Sequence, residues 1–193
     1  MKSLVDVEDC VLVVIDVQDH FLARLPRARA YLLVDRVGWI IEVAKVLKIP
    51  IVVTAEEKER YADVPAVISG KLPPGTEVFD KTFFGLAGQK NILEAVHRTG
   101  RKTAVLVGME TDVCVAQSAL GLMQSGFQVA VLADATDSPG DAHSFGLDRI
   151  TKAGALVMSL KGLYYEWVRT VPKCNEMDDE HLKRIGLPAG ILL

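Results

Sequence analysis

The chain has 193 residues, 50% of them apolar and 24% charged, with 22 lysines and arginines against 25 acids and a formal net charge of −3. That length holds one domain with a sizeable core, and the mild acidity gives no reason to expect nucleic acid or an anionic membrane as partner. Apolar runs are short and broken by charge, so no transmembrane helix is expected. Residues 1–9 carry acids where a signal peptide needs an apolar stretch, which makes a cytoplasmic protein the expectation. The cysteines Cys10, Cys114 and Cys174 are odd in number and far apart, so they form neither a disulfide framework nor a zinc pattern.

Residues 10–16, Cys-Val-Leu-Val-Val-Ile-Asp, read as the first strand. They show no polar alternation, so both faces should be buried, as in a parallel sheet. The strand delivers Asp16 at its C-terminal end. A helix is expected over 28–47, with Leu32, Leu33, Val37, Ile40, Ile41, Ala44 and Leu47 on one stripe. A second strand follows over 50–54. Residues 55–76 form the long irregular part, and loops of that length in a compact domain are often functional. The charge run 56–60 within it reads as a solvated turn. A short strand over 77–80 delivers Lys81, and Thr82-Phe-Phe-Gly leads into a helix over 91–98.

The stretch 103–126 carries the most information. Ala104-Val-Leu-Val107 is a continuous apolar run and hence a buried strand, which Gly108 punctuates. Thr111 or Asp112 offers a side-chain oxygen to free amides, as a helix N-cap does. Val113, Ala116, Leu120 and Met123 follow at helical spacing, with Gly126 as a C′ stop. Cys114 therefore falls in the first turn of a helix, just past a strand's C-terminal end, where open parallel sheets bind ligands. A helix terminus there favours the thiolate over the thiol. The pattern continues with a strand over 127–134, a turn over 135–141, a helix over 143–153, a strand over 155–158 and a helix over 160–169. A tail after Pro172 lacks a clear amphipathic stripe. Strand and helix alternating about six times predict a doubly wound α/β sheet with right-handed crossovers and helices on both faces.

Asp16, Lys81 and Cys114 follow the first, third and fourth strands and so reach the same edge of such a sheet. A thiol with a pKa of about 8.5 needs help to act as a nucleophile at neutral pH. A lysine can stabilise the thiolate, and a carboxylate can take its proton and return it to a leaving group. The set fits covalent catalysis on a carbonyl or amide carbon. His20, His97, His143 and His181 make no paired ligand spacing, so no metal is expected. No G-x-G-x-x-G follows the first strand and no G-x-x-x-x-G-K-[ST] occurs, so no dinucleotide or other cofactor is expected.

Val14-Ile-Asp-Val-Gln18, Lys81-Thr-Phe-Phe-Gly85, Gly108-Met-Glu-Thr-Asp-Val-Cys-Val115 and Val131-Leu-Ala-Asp-Ala135 together resemble, in order and spacing, the isochorismatase-like cysteine hydrolases. That family includes nicotinamidase, N-carbamoylsarcosine amidase and isochorismatase. The resemblance spans about residues 11–169. It implies a six-stranded, Rossmann-like parallel sheet, mostly in the order 3-2-1-4-5-6, and a homo-oligomer of two or more subunits. It implies Asp16, Lys81 and Cys114 as a catalytic triad, a non-proline cis peptide at Met109–Glu110, and an oxyanion hole from the amides of Glu110 and Cys114. Phe21, Glu56, Phe84 and Glu110 are candidates for the pocket wall. The metal-dependent nicotinamidases carry an Asp-x-His pair after the second strand, whereas 54–60 here contains no histidine. The expected protein is thus a metal-free cysteine hydrolase of a small amide or related C–N bond. The alternatives are a vinyl ether hydrolase of the isochorismatase type, or an inactive binding or assembly protein of the same fold. The hydrolase domain is expected over 1–171, with a tail over 172–193 that could reach an oligomer interface.

Overall fold

The computed structural model describes residues 4–193; residues 1–3, on which the reading of the N-terminus begins, lie outside the described residues. Six strands form one sheet, β1 (Cys10–Ile15), β2 (Ile51–Glu56), β3 (Val78–Lys81), β4 (Thr103–Met109), β5 (Gln128–Asp137) and β6 (Leu156–Met158). All neighbours are parallel, in the order β3-β2-β1-β4-β5-β6. The order reverses between β1 and β4, which is where such sheets open a crevice at their C-terminal ends.

Every residue of β1 is buried. Leu12 and Val14 enter one core cluster, while Val11, Val13 and Ile15 enter the other, on the opposite face. The absence of alternation in the sequence is the consequence of two apolar layers. The long helix α2 (Arg27–Val46) belongs to the first layer, after the one-turn α1 (Asp19–Leu22). Helix α5 (Lys90–Arg98) and α6 (Ala116–Gln124) belong to the second. The expected irregular region 55–76 contains two single turns, α3 (Lys58–Tyr61) and α4 (Ala66–Ser69). Strand β2 also runs to Glu56 rather than ending at Thr54, because β3 lies beside it and pairs Ala55 with Asp80 and Glu56 with Lys81. The reading of 56–60 as a solvated turn is corrected for Glu56, which is the last residue of a strand.

Helix α7 (Ala142–Lys152) follows β5, and α8 (Leu160–Val168) follows β6. The tail forms α9 (Val171–Met177), a wide turn at Asp178–Leu182 and α10 (Lys183–Ile185). It folds back on its own domain. Met177, Leu182 and Ile191 are buried with α2 and α8, Trp39 Nε1 donates to Gly186 O at 2.8 Å, and Ala189 N donates to Asp35 Oδ2 at 2.7 Å. This covering explains why α2 buries Trp39 and Val43 in addition to its sheet-facing stripe.

Gly108 sits where β1 and β4 come together, opposite Ile15. Its φ is +114°, and a Cβ there would lie 2.0 Å from Ile15 O. Neither the conformation nor the space admits a side chain. Gly126, the C′ residue expected after α6, has φ +91° with nothing within 4 Å. Gly108→Ala should therefore destabilise the fold by about 4 kcal/mol or more, and Gly126→Ala by only about 1–2 kcal/mol. Denaturant unfolding followed by circular dichroism compares the two, and equal losses would contradict the packing account.

Candidate active site

Three strand ends supply the site. Asp16 follows β1 and leaves the extended conformation at once, with φ +49°. Its amide still donates to Thr54 O at 3.1 Å, and Thr54 Oγ1 donates to its Oδ1 at 2.8 Å. Lys81 ends β3, two strands away, and its flexible stem reaches back past β2. Its ammonium lies 2.9 Å from Asp16 Oδ2, 3.6 Å from Cys114 Sγ and 3.6 Å from Glu56 Oε2. It also donates to Phe83 O at 2.8 Å and Phe84 O at 3.2 Å. Both Lys81 and Asp16 are buried. Glu56, at the end of β2, accepts from the Cys114 thiol, with Sγ and Oε2 3.4 Å apart.

Cys114 lies in a widened helical turn, Thr111–Val115, that leads from β4 into α6. The Met109–Glu110 peptide before it is cis. The expected cap by Thr111 or Asp112 is replaced by a different arrangement. Neither side chain caps the turn. The Asp112 amide instead donates to Ser138 Oγ at 3.4 Å, and Ser138 Oγ donates to Asp112 Oδ1 at 2.7 Å. Thr111 Oγ1 pairs with His143 Nδ1 of α7 at 2.9 Å. Residues just past β5, unreadable as partners in a one-dimensional pattern, thus hold the cysteine turn. His143 is half-buried there, and desolvation lowers it from the ordinary histidine value.

The electrostatics differ from the expectation of a ready thiolate. Burial, and then the Asp16 carboxylate, push the Cys114 thiol well above its ordinary range, against the pull of Lys81. Burial raises Asp16 as well, opposed by Lys81 and Thr54. Burial alone would lower the Lys81 ammonium, but Asp16, Cys114 and Glu56 together hold it above the ordinary lysine range. The helix-terminus argument left out desolvation, which dominates here.

Asp16, Glu56 and Cys114 line a cavity of about 380 Å³, and Lys81 is fully buried beside them. Phe21, Glu56, Phe84 and Glu110 all line it, with Met109 and Val113. The sequence reading missed its outer wall, Arg24, Arg60 and Tyr61. Arg24 pairs with Glu110 at 3.1 Å, and Arg60 with Glu57 at 3.4 Å. The His20 ring stacks on Tyr61 with centroids 4.3 Å apart. No sequence signal separates these residues from ordinary surface charge.

Among the described residues, one set of possible metal ligands lies together: carboxylate oxygens of Asp16 and Glu56 and Sγ of Cys114, all within 4.8 Å of one another. The Lys81 ammonium stands among them at the distances above and supplies the positive charge itself. A metal ion would have to displace it or bear its repulsion, so the donor set fits an ammonium-centred site and not a metal centre. No helix among the described residues is long and apolar enough to cross a membrane.

A doubly wound parallel sheet with an acid, a lysine and a cysteine at its switch point defines a class of α/β protein, and the comparisons with known proteins specify it. Residues 10–162 match the isochorismatase domain, and the chain belongs to the isochorismatase family. A secreted isochorismatase effector of Phytophthora sojae is 30% identical over 185 residues, covering 90% of this chain and 86% of the relative. Three solved structures share the fold. The MAR1 ribonuclease of Caenorhabditis elegans superposes with a TM-score of 0.81 at 23% identity, covering 99% of this chain and 98% of that one. The YcaC product of Escherichia coli, an octameric hydrolase of unknown specificity, gives 0.81 at 21% identity over 96% and 94%. N-carbamoylsarcosine amidase of Thermoplasma acidophilum gives 0.67 at 23% identity over 79% and 96%.

The charge arrangement yields a signed pH expectation. Alkylation of Cys114 by iodoacetamide in the ligand-free protein should keep accelerating above pH 9, past the ordinary thiol value of about 8.5. Asp16→Asn removes a raising charge and should shift that midpoint down; Lys81→Met removes the lowering charge and should shift it up. Site-resolved mass spectrometry across pH measures this. A midpoint below pH 8 in the wild type, or opposite shifts, would reject the assignment of causes.

Proposed function

We propose that the protein is a cysteine-dependent hydrolase of a small amide or related C–N bond that works through a covalent acyl-enzyme. The observation that carries this reading is the meeting of Asp16, Lys81 and Cys114 beside a cavity that Asp16 and Cys114 line, with Lys81 2.9 Å from Asp16 and 3.6 Å from Cys114. A buried lysine held between a carboxylate and a thiol has no role in packing that an apolar side chain would not perform at lower desolvation cost. The amidase among the structural neighbours is consistent with C–N chemistry on this fold.

In the proposed reaction Cys114 attacks the carbonyl carbon as its proton passes to Asp16. The developing oxyanion takes the backbone amides of Glu110 and Cys114. Asp16 then gives the proton to the leaving nitrogen, a thioester remains on Cys114, and water assisted by Asp16 releases the acid. Lys81 keeps the transferring proton's two owners in place and stabilises whichever is anionic. Because the thiol is neutral at rest, proton transfer and attack are coupled, and Asp16 is indispensable even where the thiol could ionise alone.

A homo-oligomer is part of the same proposal. A groove of about 680 Å³ opens beside α1, α2 and α4, lined by Leu22, Leu25, Ala30 and Val34, with Tyr31 and Val67 exposed. Apolar surface of this kind suits burial against another copy, and an octamer is described for one structural neighbour.

Screening of small amides and ureides for ammonia release should find a substrate. On it, Cys114→Ser should lower turnover by orders of magnitude with little change in melting temperature, because the serine proton is far harder to remove. Asp16→Asn should also lower turnover, by about 10²–10⁴, although it makes the thiol more acidic. Cys10→Ser and Cys174→Ser should leave turnover nearly intact. Near-wild-type rates for Cys114→Ser would reject covalent thiol catalysis.

Light scattering at micromolar concentration should return a multiple of the 21.0 kDa chain mass. A monomer would remove the oligomer from the proposal without touching the chemistry.

A further inference from the structure

Glu56 lines the cavity and touches the Cys114 thiol, yet the proposed triad leaves it unused. Its backbone is clamped by Gln18, which is buried. The Glu56 amide donates to Gln18 Oε1 at 2.7 Å. Gln18 Nε2 donates to Glu56 O at 2.9 Å and to Ala62 O at 2.6 Å. A buried amide with both ends engaged fixes the position from which the Glu56 side chain starts. The side chain is only 14% exposed and points to the reacting sulfur, 3.4 Å from Sγ.

The other glutamates of the cavity are matched by guanidinium groups, Glu110 by Arg24 and Glu57 by Arg60. Among the described residues no arginine pairs with Glu56, which shares with Asp16 and Cys114 the ammonium of Lys81. An ionised carboxylate carries about four acceptor sites and no donor. The thiol and the ammonium both engage Oε2, so acceptor capacity remains on a carboxylate that lines the cavity.

We propose that Glu56 is the specificity-determining residue of the site: it accepts an N–H from the group attached to the reacting carbon and excludes groups that are anionic or lack a donor there. This rests on the reading of Cys114 as the nucleophile. Asp16, Glu56 and Cys114 present their reactive atoms within 4.8 Å of one another. A nitrogen beside Sγ is therefore in reach of two carboxylates at once, and an –NH₂ carries two donors to meet them. An N,N-dialkyl amide or an ester offers only methyl groups or lone pairs to the same oxygens. A carboxylate would face the carboxylates of Glu56 and Asp16, which share one ammonium between them. On binding, the substrate N–H takes the place of the thiol hydrogen at Glu56, which leaves the thiol proton to go to Asp16. The favoured substrate class is an uncharged –CO–NH₂ or carbamoyl terminus. The atoms balance: Sγ–C forms, C–N breaks, the thiol proton leaves on ammonia, and water replaces the nitrogen, while Glu56 neither gives nor takes a proton.

The test uses thiol-directed probes and needs no known substrate. Acrylamide and N,N-dimethylacrylamide are compared for their rates at Cys114, each normalised to its rate with glutathione, by site-resolved mass spectrometry. Taking the ratio of the two cancels the thiolate fraction, which Glu56 also affects. The wild type should prefer acrylamide by about tenfold or more, the factor carried by a hydrogen bond to a charged acceptor. Glu56→Ala should bring the ratio close to unity. Glu56→Gln, which keeps one acceptor oxygen and the shape, should give an intermediate ratio. Iodoacetate relative to iodoacetamide should gain in both variants. Melting temperatures check that each variant folds, and Glu56→Gln keeps the test open if the alanine variant does not. A preference that persists in both variants is steric and overturns the inference while leaving Cys114 as the nucleophile. Absence of labelling at Cys114 in the wild type by every probe overturns the nucleophile reading, and the inference with it.

Discussion

The site depends on one buried cation. Lys81 places its ammonium among Asp16, Glu56 and Cys114 and is fully buried. Removing an ammonium from water costs several kcal/mol even after relaxation. That cost is tolerable because five neighbours surround it: two carboxylates, a thiol and the carbonyls of Phe83 and Phe84. The dependence runs both ways. Without Lys81, Asp16 would be a buried carboxylate left with the uncharged donors Thr54 and Cys114, and its charge would be given up in favour of a proton. The segment after β3 is shaped by the same need, since its carbonyls must turn inward to meet the ammonium. Its next turn is tied to α6, where Leu86 N donates to Ser118 Oγ at 3.1 Å. Lysine and nucleophile are thereby held by elements that touch each other.

The sheet makes this cluster possible through topology. Asp16 and Cys114 flank the point where strand order reverses, so no crossover helix covers the space above them. Gly108 lets β4 approach β1 closely just before the chain turns into the cysteine segment, with the space that a Cβ would need already taken by Ile15 O. Close approach of the strands sets the separation between acid and thiol. Backbone geometry that looks like a matter of stability is thus also what brings the reacting groups within reach.

Much of this was legible in the sequence because its signals are local. The unbroken apolar run of β1 announces burial on both faces, and the position of Cys114 after β4 follows from a strand, a glycine and a helical spacing. What escaped depends on groups distant in the chain. Glu56 was named for the pocket wall, but its contact with the thiol was not readable, because it depends on β3 pairing beside β2 and on Gln18 clamping its backbone. The cap of the cysteine turn comes from Ser138, which lies 26 residues beyond Asp112. The state of the thiol was misjudged for a related reason. A helix terminus is visible in sequence, whereas the depth of burial and the nearness of Asp16 are properties of the assembled sheet. The tail looked uncommitted because its apolar residues are spread over two short helices and a wide turn, each too brief to show a stripe.

A resting thiol of raised pKa could be taken as a mark against catalysis, yet the cluster gives it a different meaning. Full ionisation of Cys114 by loss of its proton to water would leave three anions around one ammonium in a desolvated pocket. Transfer of the same proton to Asp16 changes no net charge: one anion disappears as another forms, and Lys81, 2.9 Å from one and 3.6 Å from the other, compensates both. The penalty that raises the thiol pKa against bulk water is therefore largely absent from the internal transfer. Burial also raises Asp16, which makes it a better acceptor for that proton than an exposed aspartate would be. Burial is the first cause of both elevations, and the Asp16 carboxylate adds to that of the thiol. In the proposed reaction, desolvation, which disfavours the thiolate, is then what lets Asp16 serve as base for Cys114.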